Sequence, residues 1–234
     1  STNTQSPPPD FLAKMAGLLG EEFTQFAQSY DEETAVGLRV NTLKLSAADF
    51  STLSPFVLKA VGPHEPDGFL VTDSSKPGSH PYHAAGLYYL QEPSAMVVGG
   101  LVAAQPGELV LDVAAAPGGK TTHLAAQMRG RGLLVANDVH TGRARLLTEN
   151  MTRWGATNSL ITNAEPEHLA AQFGPIFDRV LVDAPCSGEG MLRKLWFASR
   201  EGTVEWRERM VMTCSQRQTD VLHNDAQLVK PRGR

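Results

Sequence analysis

The sequence predicts an α/β protein, a doubly wound Rossmann-like parallel sheet preceded by a small α+β unit. Three observations predict it. From about Leu87 onward, strand-like and helix-like segments alternate in the rhythm of a parallel sheet. The apolar runs Leu109-Val110-Leu111 and Val180-Leu181-Val182 have the character of strands covered on both faces. A run of small residues, Asp112-Val113-Ala114-Ala115-Ala116-Pro117-Gly118-Gly119-Lys120-Thr121, links the first of these strands to a helix, where sheets of this class bind ligands.

In chain order, residues 1–10 are polar and proline-rich. Phe11, Leu12, Met15, Leu18, Leu19, Phe23 and Phe26 recur at helical spacing interrupted near Gly20, which predicts two short helices. Residues 37–43 alternate like a strand, and residues 55–71 predict one or two more around Pro63 and Gly68. These elements are too few for a large core, so residues 1–84 form a small accessory unit ending near the Gly-, Pro- and His-rich loop at residues 76–83. Residues 85–234 carry the larger domain, with strands at 109–114, 132–137, 159–162 and 179–183 and helices at 119–128, 142–154 and near 167–172. A later helix opens at Cys214, with Val221, Leu222 and Val229 as its apolar stripe, and residues 230–234 form a turn.

A chain of 234 residues buries a proper core, and its size suits one medium domain with an appendage. No apolar run approaches the ~18 residues that a membrane span needs, and the start of the chain lacks the pattern of a secretory signal. The expectation is a cytoplasmic monomer with no membrane contact. Two cysteines, Cys186 and Cys214, cannot build a disulfide framework, and the seven histidines, His123 and His140 included, show no paired ligand spacing, so no metal is expected. The net charge of −4 argues against indiscriminate nucleic-acid binding, but its distribution is uneven. Residues 193–234 hold nine Lys/Arg against five Asp/Glu, or +4, and the rest of the chain carries −8. That basic stretch is either a phosphate-facing surface or a set of solvated helix faces. Within it, Trp206 with Arg207 and Arg209 fits RNA stacking or an ordinary amphipathic helix.

The small residues after the first strand let the backbone approach a ligand closely, and the following helix offers unpaired amides to a carboxylate or phosphate. The dinucleotide fingerprint Gly-x-Gly-x-x-Gly is absent, and Ala114 occupies the position where a phosphate-binding loop needs glycine. About 20 residues on, Asp138 ends the second strand, where a carboxylate can accept from both ribose hydroxyls. It is equally a residue type that caps helices. A loop for a small carboxylate plus an acid for a ribose fits S-adenosylmethionine. Lys120, a cation in a helix's first turn, opposes the macrodipole and implies an anionic or polar partner. Glu165, after the third strand, is either an adenine contact or a surface turn residue.

The fourth strand delivers Asp183-Ala184-Pro185-Cys186-Ser187-Gly188-Glu189-Gly190 to the same sheet edge. Carbon 5 of cytosine is a poor nucleophile until a group adds at carbon 6, and a thiolate suits that addition because it both attacks and leaves well. A carboxyl group at ring nitrogen 3 assists, and Asp183 is placed for that task. A lone cysteine is otherwise more often a buried inert thiol.

Together the segments 111–121 and 182–188 resemble the Sun (Fmu) family of RNA cytosine-5 methyltransferases. Arg39-Val40-Asn41-Thr42-Leu43-Lys44 resembles that family's N-terminal signature, and Tyr89-Leu90-Gln91-Glu92-Pro93-Ser94-Ala95 resembles the start of its catalytic domain, especially in the RsmF-type ribosomal RNA enzymes. The resemblance implies that Ala114, Ala115, Ala116, Pro117, Gly118, Gly119 and Lys120 bind the methionine part of S-adenosylmethionine, Asp138 its ribose and Glu165 its adenine side. It puts Asp183 between cofactor and cytosine and Lys120 near the target base. It implies RNA, above all small-subunit ribosomal RNA, as partner, with residues 1–84 contacting it. Relatives usually have Asp where Glu165 stands.

The family uses two cysteines, one in a Thr-Cys motif on a later strand for attack and one in Pro-Cys-Ser-Gly for product release. Cys186 takes the release role. Thr213-Cys214 precedes the wrong kind of element, so the attacking Thr-Cys is expected beyond Arg234, and a chain ending there is expected to be inactive as a catalyst. The competing readings are a non-catalytic RNA-binding or assembly protein with the same fold, and a small-molecule methyltransferase, which has no need of Cys186.

Overall fold

The computed structural model describes residues 7–31, 36–184, 186, 188 and 208–234. Its packing divides into a smaller unit, residues 1–34 with 185–220, and a larger one, residues 35–184 with 221–234.

The chain opens with α1 (Pro9–Leu19) and α2 (Phe23–Gln28), separated near Gly20 as the spacing predicts. The larger unit begins with β1 (Val36–Val40), α3 (Ala47–Leu53), β2 (Leu58–Gly62), β3 (Glu65–Val71), α4 (Pro81–Ala84) and β4 (Tyr88–Leu90). Its four strands form an antiparallel sheet in the order β2-β3-β1-β4. Leu38, Val40, Phe50, Phe56, Val71 and Tyr88 form its core. The first strand stops at Val40 rather than at Leu43, because Asn41 turns the chain. Asn41 Oδ1 accepts from the Leu43 amide at 3.1 Å and Asn41 O from the Lys44 amide at 3.0 Å.

There follow α5 (Pro93–Val102), β5 (Leu109–Asp112), α6 (Gly119–Met128), β6 (Leu133–Asn137), α7 (Thr141–Trp154), β7 (Ser159–Thr162), α8 (Pro166–Phe173) and β8 (Arg179–Leu181). The four strands are parallel in the order β7-β6-β5-β8. Alternate strand residues serve opposite faces. Val110, Leu134 and Ala136 pack with Leu124 and Met128 of α6 and Leu147, Met151 and Trp154 of α7. Leu111, Val113 and Val135 pack with Leu169, Phe177 and Leu228 on the other side. The sheet is thus covered on both faces, and each fully buried aliphatic or aromatic side chain contributes about 1.5–3 kcal/mol. β5 and β8 each end two residues earlier than the strands expected over residues 109–114 and 179–183. Past Asp112, the Ala115 amide turns toward β6 and donates to Asn137 O at 2.8 Å, which takes the chain out of the ladder.

The last helix, α9 (Glu208–Asp225), contributes Val211 to the cluster around Phe11, Leu12, Met15, Phe26 and Tyr30 in the smaller unit. Cys214 is an interior residue of this helix and not its start. Its neighbour Thr213 bonds within the helix, its Oγ1 donating to Arg209 O at 2.9 Å. The fully buried anchor beyond α9 is Leu228, whereas Leu222 is 56% exposed. Residues 228–234 run beside β8: the Arg234 amide donates to Asp178 O at 3.0 Å and the Val180 amide to Arg234 O at 2.9 Å. Among the described residues no helix is long and apolar enough to cross a membrane.

Candidate active site

The carboxyl edge of the parallel sheet is organised by Asn137, a fully buried residue at the end of β6. Its Nδ2 donates to Val113 O at 3.1 Å and Ala164 O at 2.9 Å, while its Oδ1 accepts from Thr162 Oγ1 at 2.9 Å and the Ala164 amide at 3.0 Å. Every donor and two acceptor positions of the amide are used, so one side chain fixes the loops after β5, β6 and β7. Sequence reasoning passed over it, although a polar residue closing an otherwise apolar strand was the available signal.

The loop after β5 is small because it is crowded from behind. A Cβ on Gly118, whose φ is 112°, would lie 3.2 Å from Leu147 Cδ1, and one on Gly119 would lie 3.2 Å from Gln91 Nε2. No side chain caps α6, so its first-turn amides are available to a ligand carboxylate. Beneath the loop, Thr121 Oγ1 donates to Asp112 Oδ2 at 2.7 Å, and Asp112 Oδ1 is buried with no hydrogen-bond partner. Burial pushes the Asp112 carboxyl up to about 7, against the lowering effect of the Thr121 hydrogen bond and of Lys120; Asp183 and Asp138 raise it further. The loop motif contains Asp112, but nothing local in the sequence marks its burial.

Asp138 is buried. The cap position of α7 belongs to His140, so Asp138 is not the helix cap; its Oδ1 accepts from the His140 amide at 3.0 Å. Asp138 Oδ2 has no hydrogen-bond partner, although Arg143 Nη2 approaches to 3.4 Å without bonding geometry. Lys120 Nζ lies 2.6 Å from Asp183 Oδ2, with side-chain exposures of 21% and 51%, and this is the anionic partner that its unfavourable place in the first turn of α6 implies. Glu165 is exposed at the start of α8 and caps nothing. The larger unit thus carries the 114–120 loop, Asp138, Glu165 and Asp183 on strand ends of one sheet edge, with a direct contact between Lys120 and Asp183. Cys186 belongs to the smaller unit, where it is an exposed free thiol accepting from the Gly188 amide at 3.4 Å. Pro185, Ser187, Trp206 and Arg207 lie outside the described residues; Arg209 is exposed on α9.

The fit to an S-adenosyl group rests on these orphaned acceptors. A buried carboxylate oxygen without a hydrogen-bond partner is costly unless a donor arrives, and Asp138 Oδ2, which has the Arg143 ion pair at 3.4 Å but no hydrogen bond, is such an oxygen at a strand end.

Residues 100–234 match the family described as 16S rRNA methyltransferase RsmB/F, and residues 8–93 match the N-terminal domain of 16S rRNA methyltransferase RsmF. Ribosomal RNA small subunit methyltransferase F of Erwinia tasmaniensis is 40% identical over 197 residues, covering 80% of this chain and 41% of the relative. Its counterpart in Vibrio vulnificus is 34% identical over 238 residues, covering 97% and 49%. The chain therefore spans about half the length of the curated relatives it matches. A methyltransferase homolog protein from Pyrococcus horikoshii shares the fold with a TM-score of 0.80 at 30% identity, over 97% of this chain and 75% of that one.

Proposed function

The chain belongs to the RsmB/F family of 16S rRNA methyltransferases, and on that premise we propose that it transfers a methyl group from S-adenosylmethionine to carbon 5 of a cytosine in small-subunit ribosomal RNA. The observation that carries the cofactor reading is Asp138, a buried carboxylate with one oxygen held by its own loop and the other without a hydrogen-bond partner. Relatives named ribosomal RNA small subunit methyltransferase F support the RNA substrate.

In this reading the free oxygen of Asp138 accepts from ribose hydroxyls, the α6 amides and the loop Ala114 to Lys120 hold the methionine carboxylate, and Glu165 stands on the adenine side. The cofactor supplies an electrophilic methyl group when bound. The protein's part is to make carbon 5 nucleophilic. A thiolate adds at carbon 6, Asp183 hydrogen-bonds ring nitrogen 3 as charge develops there, and Lys120 compensates and positions the Asp183 carboxylate. After transfer, the carbon 5 proton leaves to a base and the thiolate is expelled, the stage at which Cys186 serves. In the family the attacking thiolate comes from a Thr-Cys motif on a later strand. Cys214, inside α9, does not match it. Residues 1–84, which hold β1, β2 and β3 of the antiparallel sheet, contact the RNA, and the protein acts as a cytoplasmic monomer.

Calorimetric titration with S-adenosylmethionine tests the cofactor assignment. The wild-type chain is expected to bind, and Asp138→Ala to bind at least about 10-fold more weakly, a loss of about 1.4 kcal/mol. Equal binding by the two folded proteins would remove Asp138 from the site.

A further inference from the structure

Four consecutive carbonyls of the loop are held. Ala116 O accepts from Arg143 Nη2 at 2.6 Å, Pro117 O from Asn150 Nδ2 at 2.7 Å, Gly118 O from the Thr122 amide at 2.8 Å and Gly119 O from Arg39 Nη2 at 2.8 Å. Arg143 and Asn150 stand on α7, the neighbour of the loop in the parallel sheet. Arg39 comes from β1, in the antiparallel sheet. It is one of the largest fully buried side chains of the protein. The same Nη2 donates to Thr122 Oγ1 at 2.7 Å, Nε donates to Gln91 Oε1 at 3.1 Å, and the guanidinium lies 5.1 Å from the centre of the Trp154 ring.

A buried cation costs several kcal/mol, and an apolar side chain of similar volume often stabilises a core as well or better. Glu65 and Asp67 support the charge of Arg39 from a distance, and burial still lowers its pKa to about 10. Stability alone does not account for a guanidinium here. What an apolar residue cannot do is donate to both the Gly119 carbonyl and the Thr122 hydroxyl, two groups of the first turn of α6 that are themselves joined by a 3.1 Å bond from Thr122 Oγ1 to Gly119 O.

We propose that Arg39 is a positioning residue for cofactor binding, through which the antiparallel sheet fixes the first turn of α6 and so the direction of its free amides. This rests on the reading of that loop as the S-adenosylmethionine site. The coupling is reciprocal, so a ligand held by α6 also stabilises β1.

The test compares wild type, Arg39→Met and Arg39→Lys by amide hydrogen exchange without ligand and by S-adenosylmethionine titration. Arg39→Met is expected to keep its far-ultraviolet spectrum and the exchange rates of β6 and β7. Its amides at residues 122–124 should exchange at least about 10-fold faster, and its cofactor affinity should fall about 10-fold, or about 1.4 kcal/mol. Arg39→Lys should recover part of both, because an ammonium still reaches one acceptor. Wild-type exchange at residues 122–124 in a folded Arg39→Met overturns the proposal, as does an Arg39→Lys variant no better than Arg39→Met. If Arg39→Met does not fold, Thr122→Val removes one acceptor of the same Nη2 and should show a smaller local acceleration; unchanged exchange there also overturns it. A wild-type chain that binds no cofactor defeats the cofactor reading alone, since the exchange measurement still decides what Arg39 holds.

Discussion

Replacing Trp154 with alanine is expected to lower the unfolding free energy by about 3–5 kcal/mol, measured by urea denaturation. Trp154 ends α7 with only 2% of its surface exposed and joins the core cluster of Val110, Leu124, Leu134 and Met151. Its ring meets Tyr89 edge to face, with centroids 6.3 Å apart, and carries the Arg39 guanidinium against its face. Its carbonyl accepts from Asn41 Nδ2 at 2.7 Å. The indole therefore joins three parts of the larger unit: the parallel-sheet core, β4 and β1. Its Nε1 is buried without a partner, so truncation sacrifices no hydrogen bond of the ring. The loss is one of packing and of a desolvated cation–π contact. A change below about 1 kcal/mol would show that the surroundings collapse into the space, contrary to the close packing described.

The second large effect is a pH dependence of unusual sign. Asp112 titrates near 7 in the folded protein and near 3.9 when unfolded. Between those values the folded state keeps a proton that the unfolded state has released. The contribution of Asp112 is fully present below about pH 4 and is lost as pH rises through 7, by about 4 kcal/mol in all. Asp112→Asn removes the dependence, so the stability of wild type minus that of the variant should fall across this window. A difference that stays flat would mean that the carboxyl is ionised in the folded state throughout. The subtraction is needed because other groups act in the opposite direction. His123, buried and lowered to about 3, loses stability as pH falls below about 6.5, where the unfolded chain takes up a proton. Asp178, held low by the Leu109 amide and Lys230, loses its contribution as pH falls toward and below about 4.

The parallel sheet was legible because its signals are local. Runs such as Leu109-Val110-Leu111 need no knowledge of distant residues, and helix α6 and strand β7 fall where the pattern puts them. The loop, Asp138 and Asp183 were legible for the same reason, since strand ends locate them. Arg39, Asn137, Arg143 and Asn150 were not. Each acts on residues distant in the chain, 80 positions away for Arg39 and Gly119, and nothing in their own neighbourhood announces the partner. The start of α9 was misplaced because its polar composition hides helical bonds made by side chains back to the backbone.

The held carbonyls of residues 116–119 also bear on how fast a ligand is captured and released. A flexible glycine-rich loop must be ordered at each encounter, which slows productive association and weakens the complex by the entropy of ordering. Here the backbone is already oriented by Arg143, Asn150 and Arg39 before anything arrives. Encounter then requires diffusion and alignment of the ligand alone. On the cofactor reading proposed above, differences in affinity among nucleoside ligands would reside in residence time, set by how well each one satisfies the α6 amides and Asp138 Oδ2.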